Sequence, residues 1–391
     1  MRTLFNLYSA FALLFAAVVA WSIVAIPRAE DIDSGSYRLM ARGEPACRPY
    51  ANRILHPALA GLLGYGAAKT GGQEENGNQP SASRFSFADS QFHIIAVLSS
   101  IVFYLCILSL LRDVRPRWWV FILLVSPLWW VWGGNIYIQD MFAAALTALM
   151  FILLRALDSP GGRSSSAIFL LLTATVFLMQ LTRESSAVIA LSLTALAALR
   201  RDWRISLGVL AATALGMSVV AWASRNALPN TNELGGAAYL VCKTLANGLR
   251  NFTGIIPWND GYAANLPWQY PDPPIWKCAL PAFLQAGNVH EVGIYAFAPK
   301  LIVRTLAAWL LYFPGALLFA FAAWRRGGIT PAAWKGHGLH VQLAFAAGAL
   351  FWLLAPFSGA SMERLAGYAW PLFWIALPTS ARCACPCGRA S

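Results

Sequence analysis

The residues best equipped for chemistry gather in a few short stretches. Glu30-Asp31-Ile32-Asp33-Ser34-Gly35-Ser36-Tyr37 is dense in carboxylates, and Arg48-Pro49-Tyr50-Ala51-Asn52-Arg53 follows it. Asp140 stands at the head of a long apolar run, Arg183-Glu184 interrupts another, and Glu363-Arg364 precedes a third. A carboxylate can take a proton from a reacting hydroxyl group. A guanidinium presents a forked set of donors that fits a phosphate. Carboxylates beside a membrane face are costly to desolvate, so they sit in water or in a site.

These residues are set in an apolar chain. Of 391 residues, 58% are hydrophobic and 12% charged, whereas a soluble domain is about half apolar and about a quarter charged. That composition predicts an all-α polytopic membrane protein, one continuous bundle over residues 1–391. The net charge of +12 does not point to nucleic acid, because the basic residues scatter at segment ends and read as topology-setting charge. The cysteines define no disulfide framework: Cys47, Cys242 and Cys278 fall in loops and Cys106 in a span. Cys383-Ala-Cys-Pro-Cys387 lacks the histidine partner of a common metal knot.

Apolar runs predict ten transmembrane helices, at residues 4–26, 92–111, 118–132, 141–157, 167–181, 186–199, 205–223, 301–324, 340–356 and 365–378. The first reads as an uncleaved span, since no small-residue cleavage site follows it. With ten spans, the basic clusters at Arg112-Arg117, Arg163, Arg200-Arg204, Arg325-Lys335 and Arg382-Arg389 all fall on the side of Arg2, the cytoplasm. Residues 54–68 would flip that parity if they crossed. The run is short and contains His56-Pro57, so it is expected to lie on the outer surface or against the bundle. Residues 167–199, broken at Thr182-Arg183-Glu184 and flanked by basic turns, are expected to form a hairpin with short arms. The external side then carries the long first loop (27–91) with juxtamembrane helices, the turn before Asp140, the hairpin tip at Arg183-Glu184, the large loop (224–300) with Trp258, Trp268 and Trp276, and the turn at Glu363-Arg364.

This layout resembles the membrane-embedded GT-C glycosyltransferases, which have many spans, an acidic motif in a long first external loop, and a second acid in the next one. Asp31-Ile-Asp33 stands where the first motif would be and Asp140 where the second would be. Asp33-x-x-x-Tyr37, Pro49-Tyr50 and Arg53-Ile-Leu-x-Pro57 look like a bacterial branch of the group. Many members carry two adjacent acids, whereas here Glu30-Asp31 and Asp31-x-Asp33 both answer to that place. The resemblance implies inverting transfer of a hexose or pentose from a polyprenyl-phosphate donor to an envelope glycan, lipid or protein acceptor. The setting it implies is the bacterial inner (cytoplasmic) membrane, with the active site facing the periplasm. Asp33, Asp31 and Asp140 become candidate catalytic residues. Tyr37, Arg48, Arg53, Arg183, Glu184, Arg364 and Trp258 become candidates for substrate binding. Asp33 and Asp140 could share a divalent cation, Mg or Mn, through hard oxygen ligands, and no other cofactor is implied. The alternative is a transporter or flippase of a lipid-linked saccharide. Transporters tend to show internal repeats and midplane polar residues, whereas this chain has no repeat and gathers its charges at one face.

Structural roles compete with each assignment. Asp33 could cap a helix starting at Ser34, and Asp140 could cap the run it opens. Arg183-Glu184 and Glu363-Arg364 could be self-satisfied pairs. Arg48 and Arg53 could meet lipid head groups. His56 has a structural role open to it, and the loop tryptophans suit an interfacial belt as well as a sugar platform.

Overall fold

The computed structural model describes residues 32–46, 52–64, 90–111, 139–159, 165–226 and 337–358, with short stretches between 244 and 306 and between 371 and 376. The chain divides into two compact units. One comprises Met1–Leu228, Arg326–Ala344 and Trp374–Ser391; the other comprises Pro229–Arg325 and Phe345–Phe373.

The described residues are mostly helical. Helices α1 (Ile32–Ala41), α2 (Leu55–Leu62), α3 (Ser90–Leu111), α4 (Asp140–Asp158), α5 (Ser166–Thr182), α6 (Ser186–Leu199) and α7 (Trp203–Ala223) belong to the first unit, where α8 (Leu339–Ser358) also begins. Four of them, α3, α4, α7 and α8, are long and apolar enough to cross a bilayer. In the second unit a two-residue antiparallel pair joins β1 (Ile255–Ile256) to β2 (Ala296–Phe297). There Asn251 donates to the carbonyl of Pro356 at 2.6 Å, next to the proline inside α8.

The side-chain pattern of α3 suits lipid. Phe92, Phe103 and Ile107 are buried, while Ile94, Leu98, Val102 and Leu105 form an outward stripe at helical spacing. In water such a stripe would be costly; against acyl chains it is not.

Contacts at the two ends fix helix directions within the first unit. At one end Arg155 of α4 donates to the carbonyls of Ser109 and Leu110, which end α3 without intrahelical partners. At the other end the His56 ring packs on Phe92 of α3 and Phe142 of α4. Helices α3 and α4 therefore run parallel. Arg204 at the start of α7 lies over Phe169 at the start of α5, and Gly216 of α7 meets Gln180 of α5, so these two also run parallel. Ser206 of α7 donates to Thr194 of α6, across the short turn between them. Helices α5 and α6 thus form the expected hairpin, and α7 packs against both arms. The arms have 17 and 14 residues, about 25 and about 21 Å at the α-helical rise, both short of a bilayer core of about 30 Å.

Polar residues sort by end. Arg155, Arg200, Arg204 and the Asp158–His340 pair lie at one end, where Arg200 also donates to the His337 carbonyl. Arg53, His56, Asp140, Arg183 and Glu184 lie at the other.

Two expectations are refined. Helix α1 starts at Ile32, not Ser34, so Asp33 is within its first turn. Among the described residues of the 54–68 run, 54–64, the helix is the eight-residue α2, followed by a left-handed Gly64, and it is too short to cross a bilayer. His56, Pro57 and Ala60 face the bundle, and Gly61 lets α2 approach the backbone of Ala41 at the end of α1. The spans expected at residues 4–26, 118–132 and most of 301–324 lie outside the described residues, as does most of 365–378.

The approach of α7 to α5 depends on small residues, as helix pairs in lipid do. A Cβ at Gly216 would sit 2.7 Å from the Gln180 Cβ. Gly216→Val is expected to cost about 1–3 kcal/mol through overpacking, read as a lower thermal midpoint in detergent. An unchanged midpoint would mean the two helices are not in contact there.

Candidate functional site

The site is built where four segments of the first unit end. Helix α5 runs to Thr182, whose hydroxyl bonds back to Leu178 inside its own helix. Arg183 then turns extended (φ −162°, ψ 139°) while its N–H still bonds Met179. Glu184 enters the turn that starts α6. The break sends two adjacent side chains to different partners. Arg183, buried, pairs with Asp140, the first residue of α4. Glu184, 43% exposed at its side chain, accepts from Arg53 Nε at 3.2 Å. Arg53 also donates from Nη1 to the Tyr37 hydroxyl at 2.7 Å, and Tyr37 is fully buried on α1.

Five candidates thus meet: Tyr37, Arg53, Asp140, Arg183 and Glu184. Arg183 and Glu184 are not paired with each other. Position 33 lies one turn before Tyr37 on α1. Asp31, Arg48, Trp258 and Arg364 lie outside the described residues.

The two ion pairs differ physically. Arg53–Glu184 opens to solvent, where such a pair contributes about 0–1 kcal/mol and its members exchange partners readily. Asp140 is 2% exposed, and breaking a pair buried to that depth costs about 3–5 kcal/mol. Asp140 is therefore a poor ligand for a divalent ion, because a guanidinium already neutralises it. Among the described residues no group of three or more His, Cys, Asp or Glu converges on a metal position.

His56 and Gln139 were not among the sequence candidates for binding. His56 is 1% exposed between the Phe92 and Phe142 rings. Burial lowers its pKa from 6.5 to about 4, with Asp140 opposing that shift. The imidazole is neutral in the folded state, so the stability it contributes is complete above about pH 6.5 and is lost as pH falls towards 4. Gln139, the residue before α4, is fully buried and makes no capping bond. Its Oε1 and Nε2, together with His56 Nδ1 and Gln91 Oε1, are buried with no hydrogen-bond partner. Such atoms cost about 1–3 kcal/mol each when left unmade. A glutamine directly beside an acid at the head of an apolar run was the available sequence signal.

No protein-family model, curated protein or solved structure matches this chain.

Proposed function

We propose that the chain is an inverting glycosyltransferase of a bacterial inner membrane, with ten spans and the Arg53–Asp140 end facing the periplasm. It would move a hexose or pentose from a polyprenyl-phosphate donor to an envelope glycan, lipid or protein. The observation that supports this best is the meeting of Tyr37, Arg53, Asp140, Arg183 and Glu184, from three distant parts of the sequence, at the end opposite the basic turns.

The parts take different roles. Arg53 is the phosphate cation: Tyr37 orients it, and its partner Glu184 is solvent-exposed enough to yield to a phosphate oxygen. Arg183, committed to Asp140, fixes the hairpin tip that presents Glu184. Asp33 on α1 is the base. The acceptor oxygen attacks the anomeric carbon as the bond from that carbon to the phosphate oxygen breaks. The hydroxyl proton passes to Asp33, and the polyprenyl phosphate leaves as the anion. The leaving group is already a weak base, so the step needs no general acid.

Donor binding tests the assignment. Arg53→Ala is expected to weaken binding of decaprenyl phosphate about 10–100-fold, the loss of charge-assisted hydrogen bonds. Arg53→Lys should recover part of it, because charge remains but the fork is lost. Undiminished affinity in Arg53→Ala would remove Arg53 from the phosphate. Translocation of a lipid-linked sugar in proteoliposomes, with no transfer to any acceptor, would replace the enzyme by a flippase.

A further inference from the structure

The turn between α6 and α7 carries charges that the site at the other end does not use: Arg200, Arg201, Asp202 and Arg204. Two of them are committed within the fold. Arg200 donates to the His337 carbonyl at 3.0 Å, and Asp202 caps α7 by accepting from the Ile205 N–H at 3.3 Å. Arg201 and Arg204 are exposed. Arg204 lays its guanidinium over the Phe169 ring, 4.5 Å from the centroid, with Nη2 3.4 Å from the Ser166 hydroxyl. A guanidinium stacked on a ring still presents edge donors to a phosphate. Among the described residues Arg201 forms no ion pair.

Arg201 stands where glycine would serve the fold better. Its N–H bonds the Ala198 carbonyl, and the Asp202 N–H bonds the Ala197 carbonyl. This pattern closes a helix whose next residue is left-handed. Arg201 takes that conformation, with φ 60°, alone among the described non-glycine residues. Glycine adopts it without steric penalty, and a side chain does not. A long cation kept there at a cost to folding calls for a role outside folding.

Apolar surface adjoins the two arginines. Leu199 is 82% exposed and Trp203 58%, and Leu207, Leu210 and Met217 continue the exposed face of α7 at helical spacing from Trp203. Helix α7 is long and apolar enough to cross a bilayer, so acyl chains cover that face. A tryptophan at the head of such a face sits at head-group level, and Arg201 and Arg204 flank it in the chain. Positive charge above an acyl-facing stripe matches an anionic phospholipid. A zwitterionic lipid brings its own cation and gains less. We propose that the α6–α7 turn binds an anionic phospholipid of the leaflet at this end, with Arg201 and Arg204 on the head-group phosphate and Trp203 and Leu207 against the acyl chains. The site stands independently of the transferase reading of the opposite end.

Native mass spectrometry of the full chain, titrated in neutral detergent with phosphatidylglycerol or with phosphatidylcholine of the same acyl chains, tests the site. The wild type should hold phosphatidylglycerol several-fold more tightly. Arg201→Gly and Arg204→Gln should each weaken phosphatidylglycerol about fivefold, the contribution of one basic residue near an anionic surface. Both should leave phosphatidylcholine unchanged. Arg42→Gln, which removes an exposed arginine just past α1, should bind both lipids as the wild type does. The thermal midpoint of Arg201→Gly should equal or exceed that of the wild type, since the left-handed position is relieved. Equal affinity of the wild type for the two lipids would overturn the proposal. So would arginine variants that keep the preference, or an Arg42→Gln chain that loses as much as they do. A lower midpoint in Arg201→Gly would make that residue structural and overturn its assignment to the lipid. Displacement of bound phosphatidylglycerol by glycerol 3-phosphate would replace the lipid by a soluble anion, which equally overturns it.

Discussion

Arg183→Ala is expected to destabilise the chain by about 3–5 kcal/mol, because it leaves the carboxylate of Asp140 buried and uncompensated. Asp140 is 2% exposed at the first position of α4, and Arg183 closes the gap between that helix and the α5–α6 hairpin. Asp140→Ala should cost a similar amount for the converse reason, a stranded guanidinium. The double replacement Asp140→Leu with Arg183→Met should recover most of the loss, since replacing both charges by apolar groups removes the need for either. Denaturant or thermal unfolding in detergent reads all three. A loss below about 1 kcal/mol for either single change would mean the pair is solvated like a surface bridge. Transfer activity in the double variant then divides structure from chemistry. Recovered stability with recovered activity would confine the pair to holding the hairpin tip. Recovered stability without activity would return Asp140 to the reaction.

Among the described residues the apolar helices were legible because a long apolar run has few other destinations. Helices α3, α4, α6 and α7 lie within a few residues of the runs read from sequence. The boundaries moved outward where polar residues extend the ends: Ser90 and Gln91, Asp140 and Asp158, Trp203 and Arg204. Helix α1 begins at Ile32, ahead of Asp33 and Ser34, the residues whose types favour a helix cap. The α5–α6 hairpin followed from its charged break. That α7 would run along α5 did not, since it depends on Gly208 and Gly216 meeting Phe169 and Gln180 across the bundle. The same limit governed the site. Arg183 and Glu184 were readable as functional or as a mutual pair. Their true partners lie 43 and 131 positions away, and one extended backbone angle at Arg183 decides the split. The place of His56 was not legible either, because a histidine before a proline has an ordinary structural use, and its burial between the Phe92 and Phe142 rings is visible only in three dimensions.

Asp33→Asn should lower the rate of sugar transfer by about 10²–10⁴-fold, the usual contribution of a positioned base. Asp33 sits in the first turn of α1, so the helix backbone fixes its position. Helix α1 is tied to Arg53: Tyr37, one turn later, is buried and takes the 2.7 Å hydrogen bond from it. Donor phosphate and base would therefore be held by one connected set of contacts, as an in-line displacement needs. The substitution is nearly isosteric, so the thermal midpoint and the affinity for decaprenyl phosphate should stay close to wild type while the turnover number falls. Asp31→Asn, made in parallel, should keep most of its turnover. If Asp33→Asn transfers sugar at near wild-type rate and Asp31→Asn does not, the base is Asp31. If neither substitution slows transfer, the acidic motif does not serve this reaction, and the proposed transferase activity loses its chemical centre.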